Sequence, residues 1–151
     1  PPLEPEHLRR WLAMALVGVS ADLVGNMAGA LRLAVEHATT RTQFDVPIGS
    51  FQALQHLIAE AFVSADGARG LVNFAAWSID HATDDEAFRA ATIAKAYCSE
   101  AGKRVSEAVV QVHGGMGMTW DCLAHLYQRR ILTNRAVLGD EDIHYATLAA
   151  G

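Results

Sequence analysis

All four prolines of this chain lie at or before Pro47, and the roughly one hundred residues that follow contain none. Proline inside a helix removes a hydrogen bond and clashes with the preceding turn, so a long proline-free tract leaves helices uninterrupted. Alanine, the strongest helix former, is abundant throughout. No segment alternates Val, Ile or Thr with polar residues between turn signals, as a half-buried strand would. The expected fold class is therefore all-α. The 151 residues suit a single domain, residues 1–151, with a core large enough to need no staples.

Apolar spacing divides the chain into five helices. The first is expected from about Glu6 to Thr39. Leu12, Leu16, Val19, Leu23, Met27, Ala30 and Ala34 recur every three or four residues and mark one stripe. A loop from Thr40 to Ser50 follows, and Ser50 is positioned to cap a second helix that ends near His81. Thr83 and Glu86 match a capping box at the start of a third helix running to about Val112. Gly114-Gly115-Met116-Gly117 must break it. A fourth helix is expected from Asp121 to Asn134, with Asp121 at its cap. Gly139 and Asp140 precede a fifth, from about Glu141 to Ala150. Three long helices and a shorter closing pair predict an antiparallel helix bundle.

The net charge is −5, and no basic run of five residues occurs, which argues against a nucleic-acid partner. No uncharged apolar stretch reaches the eighteen or so residues of a membrane span, and no secretory leader pattern is visible. Two cysteines, Cys98 and Cys122, form neither a disulfide framework nor a CxxC pair, which fits a reducing cytoplasm. The opening residues Pro1-Pro2-Leu3-Glu4-Pro5 read as the interior of a longer chain.

Two segments carry more specific information. The first is Arg41-Thr42-Gln43-Phe44-Asp45-Val46-Pro47-Ile48, followed by Phe51-Gln52. The second is Gln111-Val112-His113-Gly114-Gly115-Met116-Gly117-Met118-Thr119, followed by Arg129-Arg130. Arg41 has a planar, permanent charge able to clamp a diphosphate, or it simply closes the first helix. Phe44 can pack on a cofactor ring, and Gln43 and Gln52 offer amide donors and acceptors. Gly114 and Gly115 allow backbone N–H groups to approach a phosphate or ribose closely, or form an ordinary helix end.

Together, in this order and spacing, these segments resemble the acyl-CoA dehydrogenase family. That family has Arg-x-x-Phe-Gly-x-Pro-Ile-x-x-Phe-Gln after the first helix of its C-terminal domain and Gln-x-x-Gly-Gly-x-Gly-Tyr-Thr about seventy residues later. The resemblance covers the whole chain. It implies FAD as cofactor, an acyl-CoA thioester as substrate and oxidation to the 2,3-enoyl-CoA. It also implies assembly as a homo- or hetero-oligomer with another such subunit. Arg41, Gln43, Phe44 and Gln52 would contact FAD bound mainly by a partner protomer. Gln111, Gly114 and Gly115 would contact its adenosine-diphosphate half.

One element of the family pattern is missing. The carboxylate that removes the substrate α-proton stands, in most members, at the position of Leu138, before Gly139. In a minority it stands at the position of Ala15, and a neighbouring Arg falls on Leu16. The polar residues that usually follow the base correspond to Asp140 and Asp142. No catalytic base is therefore expected from this chain. The pattern resembles the non-base subunits of heteromeric actinobacterial members, to which the Thr119-Trp120-Asp121 variant is also similar. The alternative is a non-catalytic helical scaffold that assembles with a catalytic partner. Other acids are Glu4 and Glu6, well before Ala15, and Asp121, which with His125 has the i, i+4 spacing of one helix face. That pair is too few for a metal site, and none is expected.

Overall fold

A computed structural model describes residues 5–150; Glu4 lies outside the described residues, as does the side chain of Glu6. Helix α1 spans Pro5–Thr40, α2 Gln52–His81, α3 Asp84–His113, α4 Ala124–Ala136 and α5 Glu141–Ala150. Strands β1 (Thr42–Gln43) and β2 (Val46–Pro47) form a minimal antiparallel hairpin, with Thr42 opposite Pro47 and Gln43 opposite Val46. The expected loop after α1 is thus partly paired. Short 3-10 turns cover Ile48–Ser50 and Gly114–Met118. The all-α bundle foreseen from the sequence is the observed architecture.

Successive long helices run antiparallel, which leaves α1 and α3 parallel. The ends show this directly. Arg10 at the start of α1 donates to Asp84 at the start of α3 at 3.1 Å, and His37 near the end of α1 stacks on His113 at the end of α3. Helix α3 sits at the centre and touches all four other helices. Its buried face, Ala87, Ala91, Ala94, Cys98, Ala101, Val105, Val109 and Val112, is made mostly of small side chains. Small residues let the helix axes approach closely. At Gly29 on α1 a Cβ would lie 2.7 Å from the ring of Tyr127 on α4, so only glycine admits that ring.

The stripe read along α1 packs as expected at Leu16, Leu23, Met27, Ala30 and Ala34, whereas Leu12 is exposed. By length and hydropathy α1 is apolar enough to cross a membrane, but these residues turn its stripe against the rest of the bundle. Thr83 and Glu86 form the capping box, with Thr83 N donating to Glu86 Oε2 at 3.0 Å. Two caps differ from expectation. Phe51 precedes α2, while the Ser50 hydroxyl donates to Pro47 O at 2.7 Å in the turn before it. Helix α4 begins at Ala124, not Asp121, because Cys122 N bonds back to Thr119 O and keeps the chain in a turn. Both cysteines are free and buried, and burial pushes the Cys98 thiol up to about 12, far from the reactive thiolate.

The bundle contains one fully buried ammonium. Lys95 on α3 is 0% exposed, and its Nζ donates to Ser99 Oγ at 2.8 Å, Arg135 O at 2.9 Å and Gly139 O at 2.7 Å. All three of its hydrogens are used. Two of the acceptors are carbonyls around the end of α4, where helix carbonyls lack intrahelical partners. Lys95→Met should therefore destabilise the chain by about 2 kcal/mol, because the carbonyls of Arg135 and Gly139 would be left buried and unpaired. Chemical denaturation checks this; an unchanged midpoint and slope would show that the turn does not depend on Lys95.

Candidate functional site

Both sequence motifs meet at one end of the bundle. A cleft of about 440 Å³ is walled by His37, Arg41, Gln43, Ile48, Ala53, Leu54, Leu57, Gln111, Val112, His113 and Gly114. The backbone of Arg41 is pinned on both sides, its N–H donating to His37 O at 2.9 Å and its carbonyl accepting from Ile48 N at 2.8 Å. That double tie fixes the stem of an exposed guanidinium. Helix α3 ends at Gly114, whose φ of +61° suits glycine. A Cβ at Gly114 or Gly115 would meet nothing within 4 Å, so the surface beside them is open to a ligand.

Four of the seven expected cofactor residues, Arg41, Gln43, Gln111 and Gly114, line this cleft together. Phe44, Gln52 and Gly115 do not. Phe44 stands 87% exposed at the hairpin tip, edge-on to Phe51 with centroids 6.3 Å apart. Its φ of +53° and the +63° of Asp45 make a left-handed pair, a conformation that twists correctly for a hairpin but disfavours large side chains. Asp45 stands where the family motif has glycine. Gln52 is exposed at the start of α2 and Gly115 just beyond α3.

His37, which by sequence reads as an ordinary surface or core residue, and His113, inside the second motif, also line the cleft. Their rings stack with centroids 4.5 Å apart and an interplanar angle of 22° inside the same cleft. His113 Nδ1 lies 2.8 Å from Val109 O. Burial holds His37 below its ordinary pKa, and the neighbouring His113 and Arg41 lower it further. A signal was available: His37 lies in the last turn of α1, four residues before Arg41, and His113 is inside the second motif.

The position expected for a base forms a second, separate feature. Leu138 is 44% exposed with a φ of +60°, and Gly139 follows at +99°. Leucine has no local hydrogen bond to offset a left-handed backbone, so the turn is held there by its surroundings. Lys95 grips the Gly139 carbonyl, and Arg135 and Glu141 form a bidentate pair across the turn, with Arg135 Nε at 2.9 and 2.7 Å from the two carboxylate oxygens. That guanidinium holds Glu141 below the usual carboxylate range. Asp140 Oδ1 accepts from Ile143 N at 3.2 Å and caps α5. These acids are engaged in shaping the turn.

The Ala15 position offers no carboxylate. Ala15 is exposed on α1, and Leu16 is buried beside Ala13 and Ala91. Asp121 and His125 do not share a helix face, because Asp121 precedes α4; the buried His125 ring bonds Cys122 O through Nδ1 at 2.8 Å and meets Trp120 edge-on. Asp22, not singled out from the sequence, bridges α1 to α4 by accepting from Arg130 Nε at 3.0 Å and from Asn134, with Asn26 a third donor.

At one end of the helix bundle, an open, glycine-edged cleft thus lies beside a backbone-fixed arginine. Residues 8–151 match the family model for the C-terminal domain of acyl-CoA dehydrogenases, and the chain belongs to that family of flavoprotein oxidoreductases. It is similar to acyl-CoA dehydrogenase FadE27 of Mycobacterium tuberculosis, 36% identical over 124 residues, which are 78% of this chain and 33% of that protein. The solved structure of the Tcur3481-Tcur3483 steroid ACAD G363A variant superposes with a TM-score of 0.91 at 30% identity, covering 98% of this chain and 40% of the other. The ChsE4-ChsE5 complex from Mycobacterium tuberculosis gives 0.86 at 30% identity, over 92% and 37%. The chain spans about a third of the length of the curated relatives it matches.

His144 on α5 is buried against Gly139, and burial together with the charge of Lys95 lowers its pKa below 6.5. A histidine that binds its proton less readily when folded adds stability above its unfolded pKa and loses it as pH falls below about 6.5. Thermal melts should show a lower midpoint near pH 5.5 than near pH 7.5, and His144→Gln should flatten part of that decline. A midpoint rising on acidification would contradict this.

Proposed function

We propose that this chain is the C-terminal helical part of an FAD-dependent acyl-CoA dehydrogenase that converts an acyl-CoA thioester to the 2,3-enoyl-CoA in the cytoplasm. In this reading it contributes to the flavin site and leaves the catalytic base to a partner subunit. The observation that carries the reading is the convergence of Arg41, Gln43, Gln111 and Gly114 on one cleft from two segments far apart in the sequence. The residues suit the cofactor. Arg41 offers a permanent charge to the diphosphate, and Gln43 and Gln111 offer amides to ribose or phosphate oxygens. The open surface at Gly114 and Gly115 gives the adenosine half room to lie close. Phe44, on its strained hairpin tip, is free to pack on FAD held mainly by another protomer. When bound, FAD supplies the hydride acceptor.

Removing an α-proton needs a base within hydrogen-bond reach of it. Leu138 and Ala15 have no group that accepts a proton, and the acids next to Leu138 are committed to Arg135 and to the cap of α5. Similarity to the ChsE4-ChsE5 complex and to the Tcur3481-Tcur3483 pair supports a divided site.

Arg41→Ala should lose FAD on dialysis while keeping its helical content by circular dichroism. Full flavin retention would rule out the diphosphate role. A second experiment addresses the base. Under anaerobic conditions, acyl-CoA should bleach the flavin band only when a partner subunit is present, and mutation of a carboxylate in that partner should abolish bleaching. Bleaching by this chain alone would show that it carries a base. Flavin bound without bleaching in any assembly would favour the scaffold reading.

A further inference from the structure

We infer that His37 and His113 form a proton-dependent anion contact in the cleft, so that the chain holds the diphosphate of FAD more tightly as pH falls from neutral toward about 5.5. The inference rests on the cofactor reading above and adds to it a regulated component.

The geometry comes first. One imidazole arrives from α1 and the other from α3, stacked at 4.5 Å, and both line the cleft that holds Arg41, Gln43 and Gln111. Among the described residues neither ring has a carboxylate partner. The carbonyl of Val109 only accepts, so Nδ1 of His113 is the nitrogen that carries a hydrogen. In the neutral ring Nε2 is then an acceptor. A phosphate oxygen is also an acceptor, and the two do not match. One added proton turns Nε2 into a donor and brings a positive charge with it, and both changes favour an anion.

The surroundings decide when that proton is taken up. The charged or titratable groups facing His37 are Arg41, just beyond the end of α1, and His113 on α3. The hairpin, the turn after it and α2 contribute Gln43, Ile48, Ala53, Leu54 and Leu57, and α3 adds Gln111 and Val112, all uncharged. With the cleft free of anion, burial, His113 and Arg41 keep His37 from charging. A diphosphate between Arg41 and the rings supplies the missing opposite charge and reverses that preference. Two imidazolium rings this close repel, so one proton per site is expected. By linkage, a ligand whose binding takes up a proton binds more tightly when protons are more abundant. If the stack served only to pack α1 against α3, no such coupling would exist.

FAD itself is the probe, because its diphosphate is a diester whose charges do not titrate between these pH values. The assembly of this chain with its partner subunit is titrated into FAD at low ionic strength, near pH 7.5 and near pH 5.5, and binding is read from flavin fluorescence. Helical content at both pH values is checked by circular dichroism. The expected result is a Kd lower by roughly threefold or more near pH 5.5, below the tenfold per pH unit that one coupled proton allows. His37→Gln and His113→Gln should each lose most of that response. His81→Gln, at the exposed end of α2 away from the cleft, should keep it. Equal affinity at the two pH values, or a response that survives in both cleft variants, overturns this inference and leaves the cofactor reading standing. Absence of FAD binding at both pH values overturns the cofactor reading and this inference with it.

Discussion

The buried ammonium of Lys95 is the interaction on which the closing half of the bundle depends. It sits on the central helix and reaches two carbonyls 40 and 44 residues away, at the end of α4 and in the turn before α5. A charge removed from water is tolerated only when its hydrogen bonds are complete, and here they are. Because those acceptors straddle Leu138, the same contact sets the backbone there. Arg135 and Glu141 brace the turn from its outer side, and Asp140 begins the last helix. The turn is thus held by three separate polar contacts.

Small side chains make that arrangement possible. An alanine-rich α3 brings α1, α2 and α4 close enough for Gly29 to accept the Tyr127 ring and for Gly102 to face Ile131, where a Cβ would lie 3.0 Å away. Buried hydroxyls such as Ser20 and Thr92 return their hydrogens to carbonyls one turn back, so the core holds polar atoms without losing hydrogen bonds. The outcome is a stiff frame whose ends and connecting turns carry the residues of functional interest, as expected when a scaffold positions loops.

Backbone strain marks the same places. The positive φ values at non-glycine residues among those described fall at Phe44, Asp45 and Leu138. The first two form the tip of the hairpin beside the cleft, and the third lies in the turn between α4 and α5. Left-handed backbone at a Phe or Leu persists only where surrounding contacts over-determine it.

Much of this was legible in the residues themselves. Proline placement, alanine content and apolar spacing determined the helices, and the Thr83–Glu86 box marked the start of α3, because these signals act within a few residues of chain. The spacing of Arg41 and Gln111 motifs indicated the family and the positions of Leu138 and Ala15. Local signals misled where a turn competed with a cap: Ser50 and Asp121 are good capping residues, yet Ser50 bonds Pro47 O and Asp121 stays outside α4. Tertiary structure alone decided which residues meet. Stacking of His37 on His113, the reach of Lys95 to Gly139 and the binding of Asp22 by Arg130 and Asn134 each join groups about forty or more residues apart. No local pattern encodes such pairs, since they follow from the parallel register of α1 and α3 and the docking of α4 across them.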